Sequence, residues 1–208
     1  MKNQDLKKRI LWISYKLGLS HIGSCINAVD IIDHIYSIKK ENEVFVLSSG
    51  HAALAEYVVI EKYGGERADF LFYKSGVHPT RLPQYKLYTT TGSLGHGLGI
   101  ALGRAMANRE KNVYCLISDG ECAEGAIWEA LTIKHNHNVT NLKVFVTANG
   151  YGAYGKVKQK ELEDKINAFD PKVKVIRTGN DNIPFLKRLD AHYYVMKDED
   201  WKWVEENL

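Results

Sequence analysis

Cysteine is scarce in this sequence, and no long apolar run is present. The three cysteines, Cys25, Cys115 and Cys122, cannot all pair, and no two of them have the C-x-x-C spacing of zinc and redox sites. This usage predicts reduced thiols and a cytoplasmic location, and it argues against a disulfide scaffold. The charged segment 1–10 is followed by no apolar stretch of the length that a signal peptide or a membrane span needs, so neither is expected.

An excess of one charge is also missing. The sequence has 28 Lys and Arg residues against 25 Asp and Glu residues, a net charge of +3, and the two signs are interspersed. The basic run Lys156, Lys158 and Lys160 has no aromatic residues between its lysines, which is typical of a solvated surface. The sequence therefore predicts no nucleic-acid partner and no membrane partner.

Short apolar runs separated by helical patterns fill most of the chain. β-Branched and aromatic runs predict strands at residues 43–47, 112–117, 142–147, 173–176 and 193–196. Helical spacing predicts helices at residues 3–17, 28–38, from 52 onward, within 92–106, and at 125–134, 162–169 and 184–189. Continuous apolar strands that alternate with helices are typical of a parallel sheet covered by helices on both faces. We therefore expect a single α/β domain over residues 1–208.

Polar residues follow three of the predicted strands. His51 closes the sequence Ser-Ser-Gly-His after the first strand, Asp119 follows the second, and Asn149 follows the third. Ligands of parallel sheets bind beyond the carboxyl ends of the strands. The three side chains are therefore expected at one edge of the sheet, in a ligand site.

The residue types at this edge suit a diphosphate bridged by a divalent ion. Asp119 and Asn149 offer the carboxylate and amide oxygens that magnesium or calcium prefers. Gly120 lets a backbone amide approach a phosphate, and the glycine-rich turn 92–97 leads into a helix whose first amides can bind an anion. Taken singly, Asp-Gly and Asn-Gly are common turn dipeptides, and glycines also serve close packing, so the prediction depends on the cluster.

Five segments resemble, in order, those of the transketolases, a family of thiamine-diphosphate enzymes. They are SHIGSCINAVDII, FVLSSGHAALAEY, GVHPTR, TTTGSLGHGLGIALGRAMA and the signature G-D-G…N, which here runs from Ser118-Asp119-Gly120 to Asn149 and includes ECAEGAIWEAL. The matches span residues 7–151. The resemblance implies the family's thiamine-diphosphate-binding fold of the diphosphate (PP) type.

The resemblance also implies site residues, position by position. Magnesium, or calcium or manganese in its place, would be bound by Asp119, by the Asn149 side chain and by the backbone carbonyl of Tyr151. The residues implied at the cofactor are His51, Gly92, Ser93, Leu94, Gly120, Glu121 and Asn149. Those implied in catalysis are His21, His51 and His78 around the reactive carbon, with Glu124, near which Glu129 is expected, at a subunit interface. No role is predicted for His96, His135 or His137.

A second domain, which binds the pyrimidine ring of the cofactor and activates it through a glutamate, has no counterpart in these residues. The resemblance therefore implies the N-terminal subunit of a split enzyme, two copies of which assemble with two copies of a pyrimidine-binding C-terminal subunit. The implied reaction is transfer of a two-carbon ketol unit between sugars or sugar phosphates. Ser118, Ile22 and Asn180 replace a glycine, a proline and a histidine of the family pattern. The family's lysine- and glycine-rich loop, with its substrate-contacting histidine, has no counterpart.

Three other functions stay open at this point. One is a 2-oxoacid decarboxylase or dehydrogenase component with the same cofactor, although Ser-x-Gly-His and Gly-Val-His-Pro favour the transketolase type. Another is a non-catalytic regulatory subunit that binds the cofactor. The last is a nucleotide-binding dehydrogenase that uses GSLGHGLG, but this run follows a proline-containing loop and does not match G-x-G-x-x-G.

Overall fold

Parallel strands form the central sheet in a computed structural model that describes residues 3–152, 155–180, 182–187 and 189–208. The strands of the described part are β1 (Val44–Leu47), β2 (Val113–Ser118), β3 (Leu142–Ala148), β4 (Tyr151–Gly152), β5 (Gly155–Lys156) and β6 (Lys174–Arg177). The main sheet has the order β1-β2-β3-β6 with every pair parallel, and β4 pairs with β5 as a small antiparallel hairpin.

Helices cover both faces of this sheet. They are α1 (Gln4–Leu17), α2 (Ile22–Ile38), α3 (Ala53–Lys62), α4 (Ala68–Ser75), α5 (His96–Ala107), α6 (Gly125–Asn136), α7 (Gln159–Phe169) and α8 (Asp198–Asn207). Helices α1 to α4 and α8 share one buried core with alternate strand residues such as Leu47 and Leu116. Helices α5 to α7 share a second core with the intervening residues, such as Val46 and Cys115. The predicted α/β architecture is thus confirmed.

The predicted strands agree with the sheet except at the end of the chain. The first four correspond to β1, β2, β3 and β6, but the strand predicted at 193–196 is wrong, because these residues have no regular structure. Tyr194 and Met196 pack on the first core while Tyr193 and Val195 are exposed. Their alternation resembled that of a strand, but the segment is tied to the helix that follows, where the Tyr194 hydroxyl donates to Asp200 at 2.7 Å.

The helices differ from the prediction at three places. Helix α2 begins at Ile22 rather than at residue 28, because its first turns bury Ile22, Cys25 and Ile26 in the core at helical spacing. Helices α4 and α8 were not predicted. The helix predicted at 184–189 is wrong, since residues 184 and 185 form a turn and a short 3-10 helix follows at Leu189–His192; Arg188 lies outside the described residues.

Helix α8 packs against helix α1. The rings of Tyr15 on α1 and Trp201 on α8 stack at 5.5 Å, and the Tyr15 hydroxyl donates to Asp198 at 2.8 Å. Acidic residues fill the first turn of α8, where they interact favourably with the positive end of the helix dipole. None of the described helices combines the length and apolar character that crossing a membrane requires.

Candidate active site

A cavity of about 790 Å³ lies at the carboxyl edge of the main sheet. Residues that follow each strand line it: His51 after β1, Asp119 after β2, Asn149 after β3 and Thr178 after β6. The predicted position of the ligand site, beyond the strand ends, therefore coincides with the large cavity of the described structure.

The two ends of the Asp119…Asn149 pattern meet in this cavity. Asp119 is only 3% exposed, and its Oδ2 accepts a hydrogen bond from the Gly150 backbone N–H at 2.7 Å. Its Oδ1 accepts from the Gly120 N–H at 3.1 Å, while Asn149 Oδ1 accepts from the Tyr151 N–H at 2.8 Å. These bonds hold the loop after β2 against the loop after β3, with Asp119, Asn149 and Tyr151 all facing the cavity.

The oxygens of this corner suit a hard cation. Burial raises the pKa of Asp119 to about 6, although the N–H groups of Gly150 and Gly120 oppose the rise. A nearby cation would favour the charged carboxylate and offset the burial. No group of three His, Cys, Asp or Glu side chains in the described ranges is arranged to hold a metal. A cation here would therefore need the amide and carbonyl oxygens of Asn149 and Tyr151, together with oxygens of a bound ligand, as Mg²⁺ sites often do.

Glycines let three loops close around the cavity. A Cβ on Gly152 would lie 3.3 Å from Gly120 Cα, and a Cβ on Gly50 would lie 2.8 Å from Gly92 N. Gly92 has a φ of 143°, and a Cβ there would lie 3.0 Å from His78 Cδ2. A larger residue at any of these positions would push neighbouring segments apart, so the glycines determine how closely the loops approach.

Glu121 connects the end of β1, the turn before α5 and the end of β2 through hydrogen bonds. The residue is 0% exposed, and its Oε1 accepts from the Ser48 hydroxyl at 2.6 Å and from the Gly95 N–H at 3.1 Å. Its Oε2 accepts from the Ser118 N–H at 2.9 Å. Burial raises the pKa of Glu121, and these hydrogen bonds favour its charged form. Glu121 is therefore placed as a positioning residue and does not itself line the cavity.

Two further predicted residues lie outside the cavity lining. Ser93 is exposed, whereas its neighbours Gly92 and Leu94 line the cavity. Glu124 precedes α6 and packs against Gly95, because a Cβ on that glycine would come within 2.9 Å of Glu124 Cβ. The predicted cofactor contact of Ser93 and interface role of Glu124 stay predictions.

Four histidines line the cavity. The ring centroids of His21 and His51 are 5.5 Å apart, and those of His192 lie 4.5 Å from His21 and 5.4 Å from His51. His78 also lines the cavity, against Gly92. The three histidines that the resemblance implied are therefore brought together, and His192 joins them. His96, His135 and His137 are exposed and lie outside the cavity lining.

The histidine rings are held neutral and oriented. Burial lowers the pKa of His51 to about 3, with smaller contributions from the neighbouring imidazoles, and burial also lowers the pKa of His21 and of His192. The His192 carbonyl lies 2.9 Å from His21 Nδ1 and 2.9 Å from His21 N. Because a carbonyl only accepts, Nδ1 of His21 carries the proton and Nε2 keeps a lone pair.

His192 is the histidine of the cavity that sequence reasoning missed. The prediction rested on residues directly after strands, whereas His192 closes a 3-10 helix that precedes α8. Its carbonyl contacts His21, a residue far away in the chain, and no local pattern reports such a contact. The structure thus adds to the cavity a histidine that the sequence patterns did not indicate.

Comparison with known proteins identifies the family. Residues 72–200 match the model of the C-terminal TPP-binding domain of thiamine pyrophosphate enzymes. The chain belongs to the thiamine pyrophosphate enzymes. It is 28% identical over 198 residues to one subunit of the apulose-4-phosphate transketolase of Phocaeicola vulgatus, a match that covers 81% of this chain and 68% of that protein. It is 31% identical over 186 residues to transketolase-like protein 2 of Bos taurus, covering 77% of this chain and 30% of that protein.

Solved structures of thiamine pyrophosphate enzymes share the fold. Transketolase from Campylobacter jejuni superposes with a TM-score of 0.74 at 20% identity, over 98% of this chain and 42% of that chain. A transketolase mutant from Pichia stipitis gives a TM-score of 0.74 at 18% identity, over 98% and 40%. The resemblance to transketolases and the TPP-binding fold that it implied are confirmed.

Proposed function

We propose that this chain is the diphosphate-binding subunit of a transketolase-like enzyme that transfers a two-carbon ketol unit between sugars or sugar phosphates. The observation that carries the proposal is the Asp119 Oδ2 contact with the Gly150 N–H at 2.7 Å, which joins both ends of the metal and diphosphate signature at the cavity. The neutral histidine cluster beside it supports a reaction that moves protons.

The corner around Asp119 would hold the cofactor. Asp119, the Asn149 amide oxygen and the Tyr151 carbonyl would bind Mg²⁺, or Ca²⁺ or Mn²⁺, and so neutralise the diphosphate. The backbone at Gly120, Gly92 and Leu94 would approach the diphosphate and the adjoining ring, and Ser93 and Glu121 would support this turn. When bound, thiamine pyrophosphate supplies the nucleophilic carbon and the electron sink for carbon–carbon bond cleavage.

The histidines would orient the substrate and move its protons. His21 keeps its Nε2 lone pair available because the His192 carbonyl fixes the proton on Nδ1. An imidazole in this state accepts a proton from a substrate hydroxyl and returns it when the bond re-forms. His51, His78 and His192 lie within the same cavity and would hydrogen-bond the remaining oxygens.

A second chain is proposed to complete the site. This chain spans 68% of a relative that is itself named as one subunit of a transketolase, but only 30% of a full-length transketolase-like protein. We propose that residues 1–208 contribute one diphosphate-binding domain, and that two copies pair with two copies of a pyrimidine-binding chain. Glu124 would lie where the two active sites are linked. The free state of Cys25, Cys115 and Cys122 supports the cytoplasmic location that we propose.

The test is reconstitution of the complex and removal of the metal ligand. We expect this chain and a pyrimidine-binding partner, with thiamine pyrophosphate and Mg²⁺, to transfer ketol units in a panel of sugars. Asp119→Ala should abolish Mg²⁺-dependent cofactor binding by calorimetry, since the one carboxylate of the corner is lost. Asp164→Ala, which removes a carboxylate from an exposed ion pair on α7, is the matched control. Unchanged cofactor binding in Asp119→Ala would refute the metal assignment, and decarboxylation without transfer would refute the reaction type.

A further inference from the structure

Two polar side chains of the cavity, Asn27 and Ser49, have no protein partner for any buried polar atom, and a third, Asn180, has an unpartnered Oδ1. Asn27 is 4% exposed and Ser49 is 1% exposed, and both line the cavity. Among the described residues, no group lies within hydrogen-bonding distance of Asn27 Nδ2, Asn27 Oδ1 or Ser49 Oγ. Buried polar atoms in native proteins almost always have partners, so a bound molecule is expected to supply them.

These two residues lie on the elements that carry the histidines. Helix α2 begins directly after His21 and presents Gly23, Ser24 and Asn27 to the cavity on successive turns. Ser49 lies between β1 and His51. The unpartnered atoms therefore adjoin the histidine cluster and not the Asp119 corner, where the carboxylate and amide oxygens already accept hydrogen bonds from backbone N–H groups.

The chemistry of these atoms selects one kind of ligand group. The Asn27 amide offers donors on Nδ2 and an acceptor on Oδ1, and the Ser49 hydroxyl offers both functions. A phosphate oxygen accepts only, so it would leave Asn27 Oδ1 without a partner. A hydroxyl group donates and accepts at once, and neighbouring hydroxyls match both ends of an amide. The set therefore fits a neutral polyhydroxylated chain.

We propose that Asn27 and Ser49 form a subsite that binds hydroxyl groups of the sugar substrate next to the histidines. The subsite rests on the proposed ketol transfer and adds to it the residues that recognise the uncharged carbon chain. It determines which sugars bind, whereas the Asp119 corner holds the cofactor. Loss of the subsite should therefore weaken sugar binding and leave cofactor binding unchanged.

The kinetic test compares two donors in the reconstituted complex. Hydroxypyruvate carries one hydroxyl group, whereas D-xylulose carries a chain of them. Asn27→Leu, which keeps the size of the side chain, and Ser49→Ala should each raise KM for D-xylulose about tenfold, as expected for lost hydrogen bonds. KM for hydroxypyruvate should change less than about twofold, and the affinity for thiamine pyrophosphate should stay the same. Ser14→Ala, which removes another buried hydroxyl without a partner, but outside the cavity, is the matched control.

A binding measurement separates this inference from the proposed function. Saturation-transfer NMR detects D-xylulose on the complex loaded with thiamine pyrophosphate and Mg²⁺, whether or not turnover occurs. Sugar binding that is lost in Asn27→Leu and in the milder Asn27→Ser supports the subsite even if ketol transfer is absent. Equal binding of D-xylulose by wild type and variants would overturn the proposal and assign the two side chains to ordered water. An equal rise of KM for both donors would overturn it as well.

Discussion

Replacement of Glu121 by glutamine tests whether one buried carboxylate organises the cavity. The Glu121 carboxylate accepts hydrogen bonds from the Ser48 hydroxyl, the Gly95 N–H and the Ser118 N–H. These donors belong to the end of β1, to the turn before α5 and to the end of β2. Glu121→Gln changes one atom of the side chain, so its effect reports on this network alone.

The size of the effect follows from the geometry. Glutamine keeps one accepting oxygen, and its amide nitrogen only donates. If the oxygen faces Ser48 and Gly95, the amide nitrogen faces the Ser118 N–H, which is then a buried donor without a partner. Such a donor costs about 1–3 kcal/mol, so we expect the free energy of unfolding to fall by about 2 kcal/mol. Glu121→Ala removes both oxygens and leaves all three donors without a partner. We expect the free energy of unfolding to fall by about 4 kcal/mol, because water that enters the space left by the side chain can accept some of these hydrogen bonds.

Urea unfolding of the wild type and both variants measures these free energies. Calorimetric titration of the reconstituted complex with thiamine pyrophosphate and Mg²⁺ then measures cofactor affinity. We expect both variants to bind the cofactor more weakly, because Gly92 and Leu94 line the cavity and belong to the same turn as Gly95, which contacts Glu121. Glu161→Gln, in an exposed pair with Lys158, is the control and should change stability by less than about 0.5 kcal/mol.

A Glu121→Gln variant as stable as the wild type to within about 0.5 kcal/mol would contradict this role of the carboxylate. That result would mean that another contact orders the loops. A stable variant that had nevertheless lost cofactor affinity would point instead to a direct contact between Glu121 and the cofactor, as the family resemblance implied.

Three other outcomes are expected. His51→Ala should keep cofactor affinity but lower kcat on the order of 10²-fold, measured by ketol transfer in the complex. Burial raises the pKa of Glu56 from 4.5 to about 8. Stability is therefore full below about pH 4.5 and is lost as the pH rises from 4.5 through 8; Glu56→Gln should remove this slope and gain roughly 4 kcal/mol near pH 8 in urea unfolding. Gly97→Ala would place a Cβ 2.5 Å from Ser48 Cα and should cost about 1–3 kcal/mol in the same assay. Gly103→Ala, with open space around it, should instead be neutral or stabilising.

The sheet and its reactive edge were predictable because local sequence determines both. Strands β1, β2 and β3 are buried on both faces, so their residues form continuous apolar runs that few helices would contain. The residue that follows such a run lies at the carboxyl edge. His51, Asp119 and Asn149 could therefore be placed without knowledge of the tertiary structure.

The side of the backbone on which each residue lies was not predictable. Gly120 lines the cavity, whereas its neighbour Glu121 points beneath the loop to Ser48 and Gly95. Similarly, Leu94 faces the cavity and Ser93 faces solvent. A motif identifies the loop that lies at the site, but the geometry of the turn determines which of its side chains face the cavity.

The remaining parts depend on contacts between distant segments. His192 lines the cavity where its carbonyl contacts His21, and Asn27 lines it from the second turn of α2. Neither position leaves a periodic signal in the sequence. The residues that we propose for substrate recognition could therefore not be identified from the sequence alone.

The bond between His21 Nδ1 and the His192 carbonyl joins positions 171 apart in the chain. All four strands of the main sheet precede residue 192 in the sequence, so they are synthesised before the segment that supplies this carbonyl. His21 acquires its carbonyl partner only when the last segment docks. The orientation of His21 therefore depends on a contact that can form only after the whole of the main sheet has been synthesised.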